Sequence, residues 1–331
     1  MSTLTEAVAA ANAPLTDPEM NRRRGDGPPR FELYHFALSL CSQKVRLTLA
    51  ETDATFEAHD INLSLPLLGN YDPAYVMLRM KGNVENRPLV NGYTGRSSTQ
   101  TEGFDPAVVP TLVDLEGNRV IVDSLQICKY VANAGGDLLP SELEPAIDRE
   151  LVIVDGTPHV ALLYGAHPDG DFRPERLKRN MPGVHDRKIA KIEQARALVS
   201  DRPELVAAFD AKIAKEQAAR SFVATPASMR DATAETLAIV AELQARLADN
   251  RTWVTGERYT LADVFWTISL FRLAWLGMAF AWEGGHPLNP TAHAHVHAYA
   301  ERLFARPAFA EAVLDWPKTP RSEFVAQYYR D

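Results

Sequence analysis

The segment FELYHFALSLCSQKVRLTLAE, residues 31–51, decides the fold of the first part of this chain. Aromatic and apolar residues at 30–36 predict a short β-strand, and apolar residues at 45, 47 and 49 among good helix formers predict a helix over 42–53. Cys41, the first of two cysteines in 331 residues, stands where the strand ends and the helix begins. The reason for a thiol at this junction is the first question about function.

A cysteine at the start of a helix has a physical reason to be reactive. Unpaired backbone N–H groups and the positive end of the helix dipole stabilise a thiolate there, and Lys44 and Arg46 add positive charge. The alternative is that Cys41 is a small apolar filler. Position 44 is three residues on and holds lysine, so a dithiol motif is excluded and a redox cycle needs an external thiol. Cys128 lies mid-helix in step with Leu125, and we expect it to pack in the core.

Strand and helix patterns divide the chain into two domains. The order β-α-β followed by β-β-α predicts a mixed α/β domain over residues 31–134, with a polar loop insert at 81–104. Strand patterns vanish beyond about residue 145, and helical patterns predict an all-α domain over 146–316. Residues 1–30 are interpreted as a flexible, solvated leader, and residues 317–331 as a polar C-terminal tail over the surface.

Composition and charge exclude several classes of protein. The 35 basic and 43 acidic side chains give a net charge of −8, and the basic stretch at 21–30 has too few aromatic residues to stack bases, so we expect no nucleic-acid partner. The first thirty residues lack the charge order of a secretory signal, and two cysteines make no disulfide framework, which favours the cytoplasm. The apolar run at 264–282 has Arg272 at its centre, which favours a buried helix over a membrane span.

Two further motifs lie at the ends of predicted strands. Pro110, in VVPT (108–111), directly precedes a strand; a cis bond there presents an extended backbone edge that pairs with a peptide-like ligand. Asp123 and Ser124 stand where the next strand ends and a helix begins, a place where backbone amides bind a carboxylate. Simple helix capping by Asp123 is the alternative. Each motif alone is a weak indication of a binding site.

Together with Cys41, these motifs make the chain resemble the glutathione transferase superfamily. The stretch RYTLADVFW (258–266) adds to the resemblance, because Thr260 and Asp263 have the spacing of the capping box that starts the central helix in that family. The resemblance implies a thioredoxin-like N-terminal domain that binds glutathione, followed by an all-α domain.

The resemblance also implies roles for individual residues. Cys41 is the catalytic thiol, and Ser39 either donates a hydrogen bond to sulfur or is only a turn residue. Residues implied to hold the cysteinyl backbone and the γ-glutamyl end of glutathione are Val109, Pro110, Asp123 and Ser124. An aromatic substrate site is implied at His35, Phe36, Tyr164, His167 and Trp275. Each of those five, taken singly, is better explained by packing.

Within the superfamily, the chain resembles the hydroquinone reductive dehalogenases around Cys41, at 157–171, at 265–278 and in the insert at 81–104. That resemblance implies glutathione as reductant and a chlorinated hydroquinone as substrate. Glutathione replaces chloride on the ring, Cys41 takes over the glutathione sulfur, and a second glutathione clears the mixed disulfide. It also implies a homodimer, and we expect the insert to cover the aromatic site.

Two other classes of function stay open on the same scaffold. A β-aryl-ether lyase, an isomerase or a conjugating transferase needs activated glutathione but no thiol that captures sulfur. A non-catalytic glutathione-transferase-like binding module needs neither.

A metal site is not expected. His293 and His297 have the i, i+4 spacing of a helical metal clamp. Only Glu301 offers a third ligand on that face, so we interpret the segment as an exposed helix face and expect no metal cofactor.

Overall fold

The computed structural model describes residues 3–15, 21–97, 99–317 and 319. Its first domain is built on a five-stranded sheet with strands β1 (Arg22–Arg24), β2 (Phe31–His35), β3 (Phe56–Asp60), β4 (Thr111–Asp114) and β5 (Arg119–Val122). The spatial order is β1-β3-β2-β4-β5. β2 runs parallel to β3 and antiparallel to β4, and a crossover helix, α2 (Leu40–Glu51), joins the parallel pair. The predicted β-α-β and β-β-α order is observed.

Helices cover both faces of this sheet. The other helices of the domain are α1 (Leu4–Asn12), α3 (Pro73–Met80), α4 (Thr99–Glu102) and α5 (Ser124–Ala134). α2 and α5 pack together on one face, and α1 and α3 share the hydrophobic cluster on the other. The ends of β2 and β5 and the residues before β4 therefore meet along one edge, at the start of α2 and α5.

The N-terminal segment is not the loose leader that composition indicated, within the residues described. Helix α1 starts with a capping box between Thr3 and Glu6 and buries Val8 in the cluster under the sheet. β1 adds an antiparallel edge strand to β3. Arg24 donates to the carbonyls of Leu49 and Ala50 at 3.0 and 2.8 Å, which are orphan acceptors at the end of α2. Helix capping and strand addition thus order a segment whose apolar residues are mostly alanines.

Helices alone make up the regular structure of the second domain over the described residues 144–317. They are α6 (Glu144–Gly156), α7 (His159–Tyr164), α8 (Glu175–Asn180), α9 (Val184–Ala197), α10 (Pro203–Ala224), α11 (Pro226–Arg246), α12 (Leu261–Trp275), α13 (Phe280–Glu283), α14 (Ala294–Phe304), α15 (Pro307–Phe309) and a π-helical turn, Ala310–Leu314. Most of the tail proposed at 317–331 lies outside the described residues.

The long apolar run forms the central helix of this domain. Every residue of α12 is buried, and the Thr260 amide donates to Asp263 Oδ2 at 2.8 Å at its start. The helix ends at Trp275, Gly277 follows with a φ of +80° that suits glycine, and the last residues of the run lie in α13. The prediction of a buried helix is confirmed. In the described ranges, no helix combines the length and apolar character needed to cross a bilayer.

Buried cations of α2 and α12 link the two domains. Lys44 is fully buried, and its Nζ lies 2.7 Å from Asp155 of α6. Arg46 donates to the carbonyl of Ala312 at 2.8 Å. From the second domain, Arg272 of α12 donates to the carbonyl of Leu38, just before α2. The start of α2 is therefore held by groups of the second domain.

Candidate active site

A cavity of about 790 Å³ lies between the two domains. Its walls come from the turn before α2, the loops before β4 and α5, the insert, and helices α7, α9, α10 and α12. Nine residues singled out from the sequence line it: Phe36, Ser39, Cys41, Val109, Pro110, Asp123, Ser124, Tyr164 and Trp275. The fold thus brings the thiol, the proline edge and the Asp-Ser pair into one space.

Cys41 is the second residue of α2, as the strand-to-helix transition predicts. Ser39 is the N-cap, and its hydroxyl oxygen accepts a hydrogen bond from the Ser42 amide at 3.3 Å. Cys41 is a free, partly exposed thiol that faces the cavity. Its position in the first turn places it near the free amides and the positive end of the helix dipole. Ser39 serves the turn and also lines the cavity.

Two buried cations act on the thiol. Burial, the largest influence, lowers the pKa of Lys44, but Asp155 and a Cys41 thiolate outweigh it and raise that pKa above its ordinary value. Burial lowers the pKa of Arg272 to about 10, and negative charge on Cys41 opposes this shift. The Arg272 guanidinium lies 4.7 Å from the centre of the Trp275 ring and lines the cavity. The charge of Arg272 in the sequence indicated only that its helix does not span a membrane, and its position near the thiol was not predicted.

The proline edge and the Asp-Ser pair form part of the cavity wall in the first domain. A cis peptide bond joins Val109 and Pro110 directly before β4. Asp123 has a φ of +74°, which a non-glycine residue rarely adopts, and its Oδ1 accepts from the Leu125 amide at 2.9 Å. Asp123 therefore caps α5, as the alternative interpretation held, and also lines the cavity beside Ser124. Strained backbone at such a position is typical of ligand sites.

The opposite wall of the cavity carries a buried network of charges. The Lys188 Nζ donates to the Tyr164 hydroxyl oxygen at 2.9 Å and lies 3.4 Å from Glu216. Glu216 also contacts His185 at 2.8 Å. Lys212 contacts Asp105 at 2.8 Å, and Lys215 contacts Glu102 at 2.7 Å. All of these residues line the cavity.

Two family models match the chain. The glutathione S-transferase N-terminal domain matches residues 38–134, and the glutathione S-transferase C-terminal domain matches residues 203–307. The chain is also 45% identical to the 2,5-dichlorohydroquinone reductive dechlorinase of Sphingobium indicum, over 93% of this chain and 89% of that relative. The chain belongs to the glutathione S-transferase family. The predicted thioredoxin-like domain followed by an all-α domain is thereby confirmed.

Other relatives of this glutathione S-transferase are more distant. Tetrachloro-p-hydroquinone reductive dehalogenase of Sphingobium chlorophenolicum is 26% identical over 86% of this chain and 96% of its own. Among solved structures, a beta-etherase from Sphingobium sp. strain SYK-6 has a TM-score of 0.55 at 17% identity, covering 86% of this chain and 98% of its own. A glutathione transferase from Populus trichocarpa has a TM-score of 0.52 at 14% identity, with the same coverage. At these identities the structural likeness concerns the fold alone.

The two histidines proposed for the aromatic site of this glutathione S-transferase do not line the cavity. His35 is fully buried, 3.0 Å from Arg46 through Nδ1 and edge-on to Trp316 at 5.1 Å. His167 packs against Phe172, and its Nδ1 accepts from the Asp169 amide at 3.2 Å. Neither belongs to the cavity wall formed by the described residues. His35 points to the far side of β2 from Phe36, because side chains alternate along a strand.

Arg46 of this transferase also has a different role from the one expected. Its guanidinium donates to the Ala37 carbonyl at 3.0 Å and to the Ala312 carbonyl at 2.8 Å. It therefore ties the second domain to the first and does not line the cavity in the described part of the chain.

Sequence reasoning missed the charged wall, although helical spacing carries a sign of it. Leu205, Ala208 and Phe209 form a buried stripe on α10. Lys212 and Glu216 continue that stripe at helical spacing and are 3% and 4% exposed. Charged residues in line with an apolar stripe indicate a polar site inside the domain.

The insert of this family member packs against the second domain. The Gly95 carbonyl accepts from the amides of Val160 and Ala161 at 3.1 and 3.0 Å, at the start of α7. Tyr93 lines the cavity and packs edge-on against Phe222 at 5.3 Å. The insert therefore forms part of the cavity wall and packs against α7 and α10 of the second domain.

Proposed function

We propose that this glutathione S-transferase removes chlorine from a chlorinated hydroquinone, with glutathione as the reductant. The observation that supports this most strongly is the 45% identity to a 2,5-dichlorohydroquinone reductive dechlorinase over 93% of the chain. The position of Cys41 at the first turn of α2, facing the cavity, supports the same chemistry. A lone thiol that accepts sulfur suits reduction better than simple conjugation.

Glutathione is proposed to bind along the first-domain wall. The extended backbone at Val109 and Pro110 pairs with the cysteinyl residue of the tripeptide. Asp123 and Ser124, at the start of α5, take the γ-glutamyl end. This places the glutathione sulfur near Cys41, because all of these residues line one cavity.

The proposed reaction has three balanced steps. Glutathione thiolate displaces chloride from the keto tautomer of the ring, and loss of a ring proton restores a glutathionyl-hydroquinone. The Cys41 thiolate attacks the glutathione sulfur, the carbon–sulfur bond breaks, and the ring carbon takes a proton. A second glutathione thiolate attacks the Cys41–glutathione disulfide, releasing oxidised glutathione and the free thiol. Two glutathiones are oxidised and one carbon–chlorine bond becomes carbon–hydrogen.

The aromatic ring is proposed to lie against Phe36, Tyr164 and Trp275, under the insert. These side chains and Tyr93 of the insert line the same cavity. Deletion of the insert is expected to raise the KM for the hydroquinone and to leave the KM for glutathione little changed. An unchanged KM for the hydroquinone would remove the insert from the aromatic site.

The test is chloride release from 2,5-dichlorohydroquinone with glutathione, followed with a chloride electrode. Wild type is expected to release chloride and form oxidised glutathione, and Cys41→Ser to stop at an accumulating glutathionyl-hydroquinone. Cys128→Ser is the matched control, because Cys128 is fully buried in α5. Final product from Cys41→Ser points to a lyase, isomerase or conjugating transferase, and no chloride from wild type defeats the proposal.

We also propose that the protein acts in the cytoplasm as a homodimer. The resemblance to glutathione transferases supports the homodimer. The two free thiols, Cys41 and Cys128, suit a reducing compartment. Light scattering of the purified chain tests the assembly, and a monomeric mass contradicts it.

A further inference from the structure

One partly buried pair on the cavity wall, Tyr164 and Lys188, takes no part in the sulfur chemistry above. The Lys188 Nζ donates to the Tyr164 hydroxyl oxygen at 2.9 Å and lies 4.0 Å from the centre of the Tyr164 ring. Because the hydroxyl accepts from an ammonium group, its own proton is left to donate, and the ammonium strengthens it as a donor. Both side chains line the cavity that holds Cys41. A donor of this kind fits an acceptor oxygen on the bound ligand.

Glu216 holds Lys188 in place and keeps it charged. Glu216 is 4% exposed and lies 3.4 Å from the Lys188 Nζ. It also contacts His185 at 2.8 Å and Lys212 at 3.3 Å. Burial lowers the pKa of Lys188, but Glu216 and Tyr164 outweigh it and raise that pKa above the ordinary value. The ammonium that Tyr164 accepts from is therefore present at neutral pH.

The lysines and carboxylates nearest the pair balance one another before any ligand binds. Three lysines face three carboxylates in this wall: Lys188, Lys212 and Lys215 against Glu102, Asp105 and Glu216. The other titratable or charged side chains of the cavity are Cys41, Tyr71, Tyr93, Asp123, His159, His185 and six arginines, Arg79, Arg96, Arg176, Arg179, Arg187 and Arg272. No described carboxylate pairs with Arg272, whose guanidinium is hydrogen-bonded to Leu38 and Gln43. The arginines therefore leave the cavity positive, and a negatively charged ligand between Arg272 and Tyr164 complements it.

We propose that Tyr164 and Lys188 bind one ring oxygen of the aromatic substrate in its ionised, phenolate form. Tyr164 donates to the oxygen, and Lys188 is a positioning residue that acts through Tyr164. On ionisation the O–H bond of the ring hydroxyl breaks, the electron pair stays on oxygen, and the proton passes to solvent. The phenolate oxygen pushes electron density into the ring and favours the keto tautomer from which chloride leaves. The assignment rests on the proposed dehalogenation.

The experiment measures ionisation of the bound ring without turnover. Cys41→Ser protein is saturated with S-methylglutathione, which fills the tripeptide site but carries no free thiol. 2,5-Dichlorohydroquinone is added without oxygen, and ultraviolet difference spectra are recorded across pH. The midpoint pH at which the phenolate band appears is expected to lie at least about one pH unit below that of the free hydroquinone, a tenfold change in the ionisation constant. Adding Tyr164→Phe or Lys188→Gln is expected to return it to the free value, and Lys188→Arg to retain most of the shift.

A matched control distinguishes the effect of Tyr164 in the site from the effect of removing any tyrosine hydroxyl. Tyr130 donates to Asp114 at 2.6 Å outside this cavity, so Tyr130→Phe is expected to titrate like the parent. Unfolding midpoints verify that each variant is folded. The ring-oxygen site is overturned if the Cys41→Ser parent shows no shift, or if the shift survives both Tyr164→Phe and Lys188→Gln. In that case chloride release by wild type still supports the proposed dehalogenation. If the shift depends on Tyr164 and Lys188 but wild type releases no chloride, the ring-oxygen site is supported and the proposed dehalogenase activity is contradicted.

Discussion

The Arg272 side chain of α12 donates from Nη2 to the backbone carbonyl of Leu38, in the turn that leads into α2. A residue in the last turn of the most apolar helix thereby holds the chain three residues before the thiol of Cys41. Its guanidinium also lies over the Trp275 ring at 4.7 Å. One buried cation therefore sets the turn, supports an aromatic wall and places positive charge beside the sulfur.

Arg272→Gln is expected to lower kcat/KM for chloride release by about tenfold or more. It removes a charged hydrogen bond of ~1.5–3 kcal/mol and the positive charge beside Cys41. Arg272→Lys is expected to be intermediate, because it keeps the charge but not the planar guanidinium whose Nη2 donates to both Leu38 and Gln43. Steady-state kinetics measure both. Arg230→Gln, which removes an exposed arginine paired with Asp169, is the control, and equal losses in Arg272→Gln and the control would contradict the role.

Lys44→Met is expected to destabilise the protein by roughly 3–5 kcal/mol, because it leaves the buried Asp155 carboxylate without its partner. Lys44 is 0% exposed and Asp155 is 5% exposed, with 2.7 Å between Nζ and Oδ1. The double variant Lys44→Met/Asp155→Leu is expected to recover most of that loss. Urea unfolding gives both free energies. A double variant that is less stable than Lys44→Met contradicts this account.

Acid is expected to weaken the charged wall. Burial raises the pKa of Asp105, but Lys212 and Lys215 outweigh it and hold that pKa well below its ordinary value. Lys188 and Lys212 likewise hold the pKa of Glu216 well below its ordinary value, against the effect of burial. A depressed pKa in the folded state stabilises the protein above the unfolded pKa, near 4, and that stability is lost as pH falls below it.

The urea midpoint of wild type is therefore expected to fall between about pH 5 and pH 3. Glu216→Gln is expected to be less stable at pH 7 and to lose less on acidification. Asp231→Asn, at an exposed carboxylate, is the control and is expected to follow wild type. Equal acid dependence in Glu216→Gln and wild type contradicts the assignment.

Iodoacetamide is expected to label Cys41 and to leave Cys128 unmodified in the folded protein. Cys128 is fully buried, and burial raises its pKa to about 12, so little thiolate is present. Cys41 faces the cavity and is partly exposed. Peptide mass spectrometry reads out both sites, and protein unfolded in urea labels at both as the control. Folded protein labelled at Cys128 but not at Cys41 contradicts the model of the site.

Local sequence patterns were enough to predict four of the five strands and the thiol turn. The aromatic and apolar residues around Leu33 and the helical spacing around Val45 place β2 and α2 within two residues of their observed bounds. Ser39 explains the remaining difference, because its capping starts α2 at Leu40 rather than at residue 42. The helix in the leader was missed although the T-x-x-E spacing of Thr3 and Glu6 was readable, because its apolar residues are mostly alanines.

The two halves of the site differ in how far sequence determines them. Cys41, Pro110 and Asp123 each stand at a strand end, where local order fixes their place. The wall of Tyr164, Lys188 and Glu216 joins three helices that only tertiary packing brings together, so no local pattern assembles it. His35 and His167 were predicted for the cavity but pack elsewhere, because nearness in sequence to a site residue does not fix the direction of a side chain.

Mass spectrometry of enzyme quenched in acid during turnover of 2,5-dichlorohydroquinone with glutathione shows whether Cys41 captures the glutathione sulfur. A glutathione-sized mass increment is expected on the peptide that contains Cys41, removed by added thiol and absent from Cys41→Ser. An enzyme that releases chloride while this peptide never carries the increment contradicts sulfur capture by Cys41.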